Sequence, residues 1–369
     1  MPVSSKASSM LLAALCCCSF GGVCFDCFDG VLMAVAILTV TLNPTLDIST
    51  SVARLIDHVK LRCGPEREQV GGGGINVAQV IASLGGRNLC QAMLPIGGSR
   101  GHEILQRLQA SGLDCVTATI NQQNRQCFTV YETETGHEYR FVLAGPTLAK
   151  SEQDACVAAI LENLPTSFLV LSGSLPPGVP ENFYASVISA VRQVAPGLRI
   201  VVDTSGAPLL HALDAGVFLF KPSREEFGEI YKSAQLDALN KGNLSTSDTD
   251  ACIAASRTLI ANGKTEVVAL TLGSEGALIV TGEHAWVIDP LPVKVTSTVG
   301  AGDSFVGGLV WALLQASDNP DWVQAARVGT AAAGAALQTQ GELRFDASAI
   351  LAMSQTVQAR PLMAADNTP

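Results

Sequence analysis

Five short apolar runs set the tightest limit on what this chain can fold into. They are residues 34–42 ("AVAILTVTL"), 168–172 ("FLVLS"), 200–203 ("IVVD"), 217–220 ("VFLF") and 267–272 ("VVALTL"). Stretches with helical spacing fall between and after them, over 76–84, 102–110, 152–161, 182–194, 251–261 and 305–314. Apolar strands bounded by turns and separated by helices are the pattern of parallel βαβ units, whose strands are covered on both faces. The expected fold is a doubly wound α/β/α sandwich.

Two stretches break that pattern. Residues 49–62 and 125–143 alternate polar with apolar positions, as in "QCFTVYETETGHEYRFVL", where "TETGHE" reads as a hairpin turn. Alternation suits an antiparallel sheet exposed on one side, so both are expected to form a small projecting lid sheet. Projecting strands carry unpaired edges that a second subunit commonly covers, and a homodimer through this sheet is expected.

Composition narrows the function classes. Of the 369 residues 48% are hydrophobic and 15% charged, which fits a buried α/β core. The formal net charge of −10 argues against a general nucleic-acid or membrane-surface binder, which needs a basic footprint. Small anionic ligands stay open, because local arginines and helix N-termini can hold them. Five of the 11 cysteines (Cys16, Cys17, Cys18, Cys24, Cys27) crowd the first 30 residues, and the rest are scattered singly. That spacing indicates neither a zinc site nor a disulfide framework, and the body reads as a reduced, cytoplasmic protein.

Residues 1–32 read as an N-terminal extension outside the fold. "MLLAALCCCSFGGVCF" after Lys6 resembles a signal-like segment, but its apolar run is too short for a membrane span. A lipoprotein reading at Cys16 is opposed by Leu15, where a small residue is expected. The alternative is a translation start at Met33, and either way the expected domain is 33–360.

Four segments can carry chemistry. "VGGGGINVAQVIASLGG" (70–86) opens a glycine run into a helix, leaving backbone amides uncovered beside Asn76; it lacks the Lys-Ser/Thr of a P-loop and the spacing of a dinucleotide turn. The plain alternative is a flexible turn with Asn76 as helix cap. "TSTVGAGDSFVGGLV" (296–310) sets Asp303 behind Gly300, Ala301 and Gly302, where free N–H groups and a helix start can stabilise a transferring phosphoryl group. Asp303 is then either an ordinary first-turn acid or a base accepting a hydroxyl proton. "FKPSREEF" (220–227) offers Lys221 to a phosphate and Glu225 and Glu226 to a water-bridged magnesium ion, or is a solvated helix start. "TLGSEGALIV" (271–280) puts Gly273 and Gly276 after a strand as a nucleotide surface or a simple turn. On the lid, Lys60, Arg62, Arg125 and Arg140 can converge on one phosphate, or each be solvated.

In order, "TLNPTLD", "GGGGIN", "SGSLPPG", "KPSREE", "TLGSEGA" and "TVGAGDSFVGG" resemble the PfkB branch of the ribokinase-like carbohydrate kinases, from Met33 to about Leu351. Within it the chain is most similar to the minor 6-phosphofructokinase group, having "KLRC" at 60–63 and no lysine within "GGGG". The resemblance implies an α/β sandwich with a β lid that often mediates dimerisation. It implies ATP-dependent phosphorylation of fructose 6-phosphate at its 1-hydroxyl, with fructose 1-phosphate and tagatose 6-phosphate as alternative substrates and a catalytically silent sugar or nucleotide sensor as a reading of another class. On the same likeness Asp303 is the base, and Gly300, Ala301 and Gly302 form its anion hole. Asp47, Gly73, Gly74, Asn76 and Ser174 face the sugar, and Lys60 and Arg125 hold its phosphate. Lys221, Ser223, Thr271, Gly273, Gly276 and Thr298 contact ATP, Glu226 helps place Mg²⁺, and a K⁺ site falls near Ser297, Val299, Ala336 and Gly341. The family's metal-organising motif is Asn-x-x-Glu, and this chain carries Ser223 in place of the asparagine. A hydroxyl is shorter and lacks the amide's two-sided bonding. A nicotinamide oxidoreductase is opposed by "TLNPTLD" standing where its glycine turn would be.

Overall fold

The structure, a computed structural model, describes residues 35–231, 245–316, 319–339, 341 and 343–362. The expectations for residues 1–32 and the boundary at 33 lie outside the described residues. From the N-terminal side the elements are β1 (Ile37–Val40), β2 (Thr45–Val52), β3 (Arg67–Gly71), α1 (Gly73–Ile81), β4 (Cys90–Ile96), α2 (Gly98–Ala110), β5 (Asp114–Thr119), β6 (Arg125–Glu132) and β7 (Glu138–Phe141). There follow α3 (Lys150–Glu162), β8 (Phe168–Ser172), α4 (Phe183–Val194), β9 (Arg199–Asp203), α5 (Gly206–Asp214), β10 (Val217–Phe220), α6 (Arg224–Ile230), α7 (Thr246–Ala261) and β11 (Thr265–Thr271). The last are β12 (Ala277–Val280), β13 (Ala285–Ile288), α8 (Ala301–Gln315), α9 (Trp322–Leu337), α10 (Ala347–Ser354) and β14 (Ala359–Leu362).

The main sheet runs β14-β13-β12-β11-β10-β9-β8-β1-β4-β5. Its pairings from β5 to β11 are parallel, as the apolar runs require, and β12 to β14 add antiparallel strands. The sequence pattern missed β4 because Gln91 and Pro95 interrupt its apolar run, and it also missed β12 to β14. Each central strand feeds two cores: Ile37 packs with the layer of α1 and α8, Leu38 and Val40 with that of α3 and α4. Burial of this kind stabilises by about 25 cal/mol per Å² of apolar surface, which is why the strands tolerate no polar face.

The small sheet is ordered β3-β2-β6-β7. It differs from the expected antiparallel sheet at its centre, where β2 and β6 pair in parallel. Between β3 and β6 the chain runs through the body as α1, β4, α2 and β5, and re-enters the small sheet pointing the same way as β2. The expected strand over 49–62 is also displaced. Strand structure covers Thr45–Val52, and 53–66 is a loop folded back so that Thr50 Oγ1 donates to the Gly64 carbonyl at 2.9 Å. The alternation in "ARLIDHVKLR" mimics a strand, but its tip holds His58 at φ 60.

Candidate active site

The carboxyl ends of β1, β8, β9, β10 and β11 come out on one side, the position where open α/β sheets take their ligands. Asp303 enters there on α8. The helix starts at Ala301, earlier than its apolar spacing suggests, so Ala301, Gly302 and Asp303 are its first turn and Gly300, at φ 73, is its N-cap. That turn leaves N–H groups without intrahelical partners and a partial positive charge at one spot.

Asn76 Nδ2 donates to Asp303 Oδ2 at 2.8 Å, joining α1 to α8 across 227 residues of chain. The glycine run makes this approach possible. A Cβ on Gly74 would lie 2.5 Å from the Val40 carbonyl oxygen, and one on Gly71 would lie 2.1 Å from Asp47 Oδ2. Gly73 and Gly74 are thus the first helical turn rather than a loose loop, and Gly74 is buried beneath β1. Burial first, and the nearby Asp203 second, push the Asp303 carboxyl up to about 7, against the Asn76 hydrogen bond, Lys221 and Arg140.

A cleft of about 540 Å³ lies between this centre and the small sheet. Of the expected residues it brings together Asp47, Gly73, Asn76, Arg125, Ser297, Val299, Gly300 and Asp303. Asp47 accepts from Thr45 Oγ1 at 3.1 Å; burial raises its carboxyl, and that hydrogen bond with the charges of Arg125 and Arg140 acts the other way. Arg125 gives Nη1 to the Leu143 carbonyl at 2.9 Å, while its buried Nε has no partner. Lys60 and Ser174 do not line the cleft: both are exposed, Lys60 on the 53–66 loop and Ser174 on the loop after β8. Arg67 and Arg140 line it beside Arg125. Arg67 escaped the sequence reading because its orientation follows from the register of β3 against β2.

On the other side of Asp303, Lys221 Nζ pairs with Asp203 Oδ1 at 3.1 Å, both side chains almost fully buried. Burial works against the ammonium, and Asp203, Glu226 and Asp303 outweigh it to hold Lys221 charged. A Cβ on Gly302 would stand 3.6 Å from Lys221 Nζ, which sets the ammonium beside the first turn of α8. Asp203 was missed; its signal was a carboxylate ending an apolar parallel strand. Ser223 and Glu226 close a reciprocal cap on α6, Ser223 N donating to Glu226 Oε2 at 2.7 Å and Glu226 N to Ser223 Oγ at 3.2 Å. Thr271 N donates to the Pro222 carbonyl at 3.0 Å, drawing this cap to the turn that holds Gly273 and Gly276, both at positive φ. Thr298, exposed, accepts weakly from Ala301 N at 3.5 Å.

A carboxylate on a helix N-terminus, a lysine beside it and a cleft lined by arginines suit phosphoryl transfer to a sugar. A family profile described as pfkB family carbohydrate kinase matches residues 41–345. The chain belongs to the pfkB family of carbohydrate kinases. Among pfkB relatives, the ATP-dependent 6-phosphofructokinase isozyme 2 of Mycobacterium tuberculosis (strain ATCC 25618 / H37Rv) is 38% identical over 306 residues, 83% of this chain and 85% of the relative. The enzyme of that name from Escherichia coli (strain K12) is 36% identical over 83% of this chain and 94% of its own length. A 1-phosphofructokinase of Xanthomonas campestris is 33% identical over 81% and 90%. Phosphofructokinase-2 from Escherichia coli, solved with fructose-6-phosphate, superposes with a TM-score of 0.76 at 34% identity, covering 87% of this chain and 99% of that one. The same protein has been solved with potassium, and as a tetrameric inhibited form.

Proposed function

We propose that this chain is an ATP-dependent 6-phosphofructokinase that transfers a phosphoryl group to the 1-hydroxyl of fructose 6-phosphate. The observation that carries this reading is Asp303, half-buried at the N-terminus of α8, bonded to Asn76 and facing both the arginine-lined cleft and Lys221.

Asp47, Gly73 and Asn76 hold the sugar with its 1-hydroxyl toward Asp303, and Arg125 with Arg140 holds the 6-phosphate. Asp303 takes the hydroxyl proton as the oxygen bonds to the γ-phosphorus; the bond to the bridging oxygen breaks and ADP leaves. Charge gathers on the equatorial oxygens, where the first-turn amides of α8 and the Lys221 ammonium meet it. Lys221, Ser223, Thr271, Gly273, Gly276 and Thr298 make the nucleotide side. The residues fit a magnesium ion: Asp203 and Glu226 are hard oxygen donors beside Lys221, of the kind that Mg²⁺ takes together with phosphates and water. When bound it neutralises charge shared between the phosphates. A potassium ion fits the loop of Ser297 and Val299, which Thr296 N ties to the Leu337 carbonyl at 2.7 Å, beside Ala336 and Gly341.

The small sheet closes as the lid, and water is excluded. Its outer side is the homodimer interface, where Phe141, 51% exposed, and Tyr139 stand on β7 and do not line the cleft. The enzyme acts in the cytoplasm; among the described residues no helix is long and apolar enough to cross a membrane, and the six cysteines are free.

The deciding test is ADP release by purified protein with fructose 6-phosphate, fructose 1-phosphate and tagatose 6-phosphate, with Mg²⁺ and with or without K⁺. Turnover fastest on fructose 6-phosphate is expected. Preference for fructose 1-phosphate would instead align the chain with its Xanthomonas relative, and no turnover on any sugar phosphate would leave a sensor. Sedimentation at micromolar concentration should give a dimer.

A further inference from the structure

Side chains that line the cleft sit on β2, β3 and β6, and helix α2 reaches that sheet from behind. On β3, Arg67 and Gln69 line the cleft, and Glu68 between them turns back to pair with Arg107 of α2. Glu103, one turn earlier, holds Arg107 in place, accepting from Nη2 at 2.7 Å and from Nε at 3.1 Å. On β6, Arg125 and Cys127 line the cleft. Here Arg100 of α2 reaches behind them, giving Nη1 to the Asn124 carbonyl at 2.6 Å and Nη2 to Gln126 Oε1 at 3.4 Å.

Arg100 and Arg107 are seven residues apart and so share a face two turns long. The helix comes close enough because Gly101 has no side chain: a Cβ there would lie 2.4 Å from Asn124 Oδ1. Asn124, fully buried, is itself pinned, accepting from Gly97 N at 2.8 Å and donating to the Pro95 carbonyl at 3.0 Å. Asp47 on β2 pairs in register with Gln69 on one side and Cys127 on the other. Bracing the strands on either side of β2 therefore also fixes Asp47 between them.

We propose that Arg100 and Arg107 are positioning residues: a two-armed brace on α2 that holds β3 and β6, and through them the sugar-facing side chains, at the angle the reaction needs. The kinetic part rests on the kinase reading; the mechanical part does not. Lys221, Asp203 and the Thr271 turn lie on other elements that α2 does not hold. Loss of the brace thus weakens the sugar phosphate and leaves ATP alone.

The test compares Arg107→Gln and Arg100→Gln with the unaltered protein by KM for each substrate and by amide hydrogen exchange. Each substitution is expected to raise the sugar-phosphate KM roughly fivefold, the scale of a partly exposed ion pair for Arg107 and of a hydrogen bond for Arg100, with the ATP KM unchanged. Exchange should quicken in β3 and β6 and stay the same in β9 to β11. Arg107→Lys, which keeps a positive charge between Glu68 and Glu103, should recover most of the affinity that Arg107→Gln loses. An unchanged sugar KM, equal rises in both KM values, or wild-type exchange in β3 and β6 would overturn the brace. If the unaltered protein turns over no sugar phosphate, the kinase reading fails while the exchange rates still decide the mechanical part.

Discussion

The two sides of Asp303 are built differently. On the nucleotide side the polar groups are already paired within the protein: Lys221 with Asp203, Ser223 with Glu226, Arg224 with Glu275, and Thr271 with the Pro222 carbonyl. On the sugar side, Arg125 keeps a buried Nε without a partner, and several charges converge on open cleft. The first side is organised by its own pairs, and the second keeps polar groups open to a ligand. A paired group costs little to keep buried, whereas an unpaired one is stable only where something will come to meet it.

The largest break in that comparison is at the centre. Asp303→Asn should lower kcat by about a thousandfold, the scale of a positioned general base, with both KM values little changed. It keeps the acceptor for Asn76. Because the folded state raises this carboxyl to about 7, its stabilising contribution is full below the ordinary value of 3.8 and fades as pH rises through 7. Above pH 7 the Asn variant should therefore melt higher than the parent, by calorimetry.

Next comes the paired side. Lys221→Met leaves Asp203 without its buried partner, and kcat/KM for ATP should fall by roughly a hundredfold while the sugar KM holds. Two glycines then separate packing from chemistry. Gly74→Ala drives a methyl into the Val40 carbonyl and should lower stability by about 1–3 kcal/mol, whereas Gly302→Ala meets Lys221 at ordinary contact distance and should leave the melting temperature nearly unchanged.

Smaller effects follow in pH and metal. Activity should rise with pH through about 7 as Asp303 loses its proton, and Asn76→Ala, which removes a hydrogen bond favouring the charged form, should move that limb upward. Ser223→Asn keeps an equally good cap on α6, so the fold should not change. Its expected effect is a drop of about threefold or less in the Mg²⁺ concentration for half-maximal rate, from the asparagine's added carbonyl and amide.

Much of this was legible in the sequence because it rests on local pattern. Apolar runs such as "FLVLS" and "IVVD" are buried on both faces wherever they go, and that alone dictated a parallel sheet covered by helices. "GAGD" likewise dictated a turn with exposed amides and a carboxylate at a helix start, and the ordered motifs around it dictated the family. What the sequence could not determine was which groups surround Asp303, and which basic residues share its cleft. Those depend on contacts between distant segments: Asn76 against Asp303, Asp203 against Lys221, and the register of β3 and β6 on either side of β2. A one-residue slip in such a strand turns Arg67 and Arg125 away from the cleft, and only the packed sheet fixes the register. The strand over 53–62 failed for the same reason, since alternation marks a strand only when a neighbour is there to pair with it.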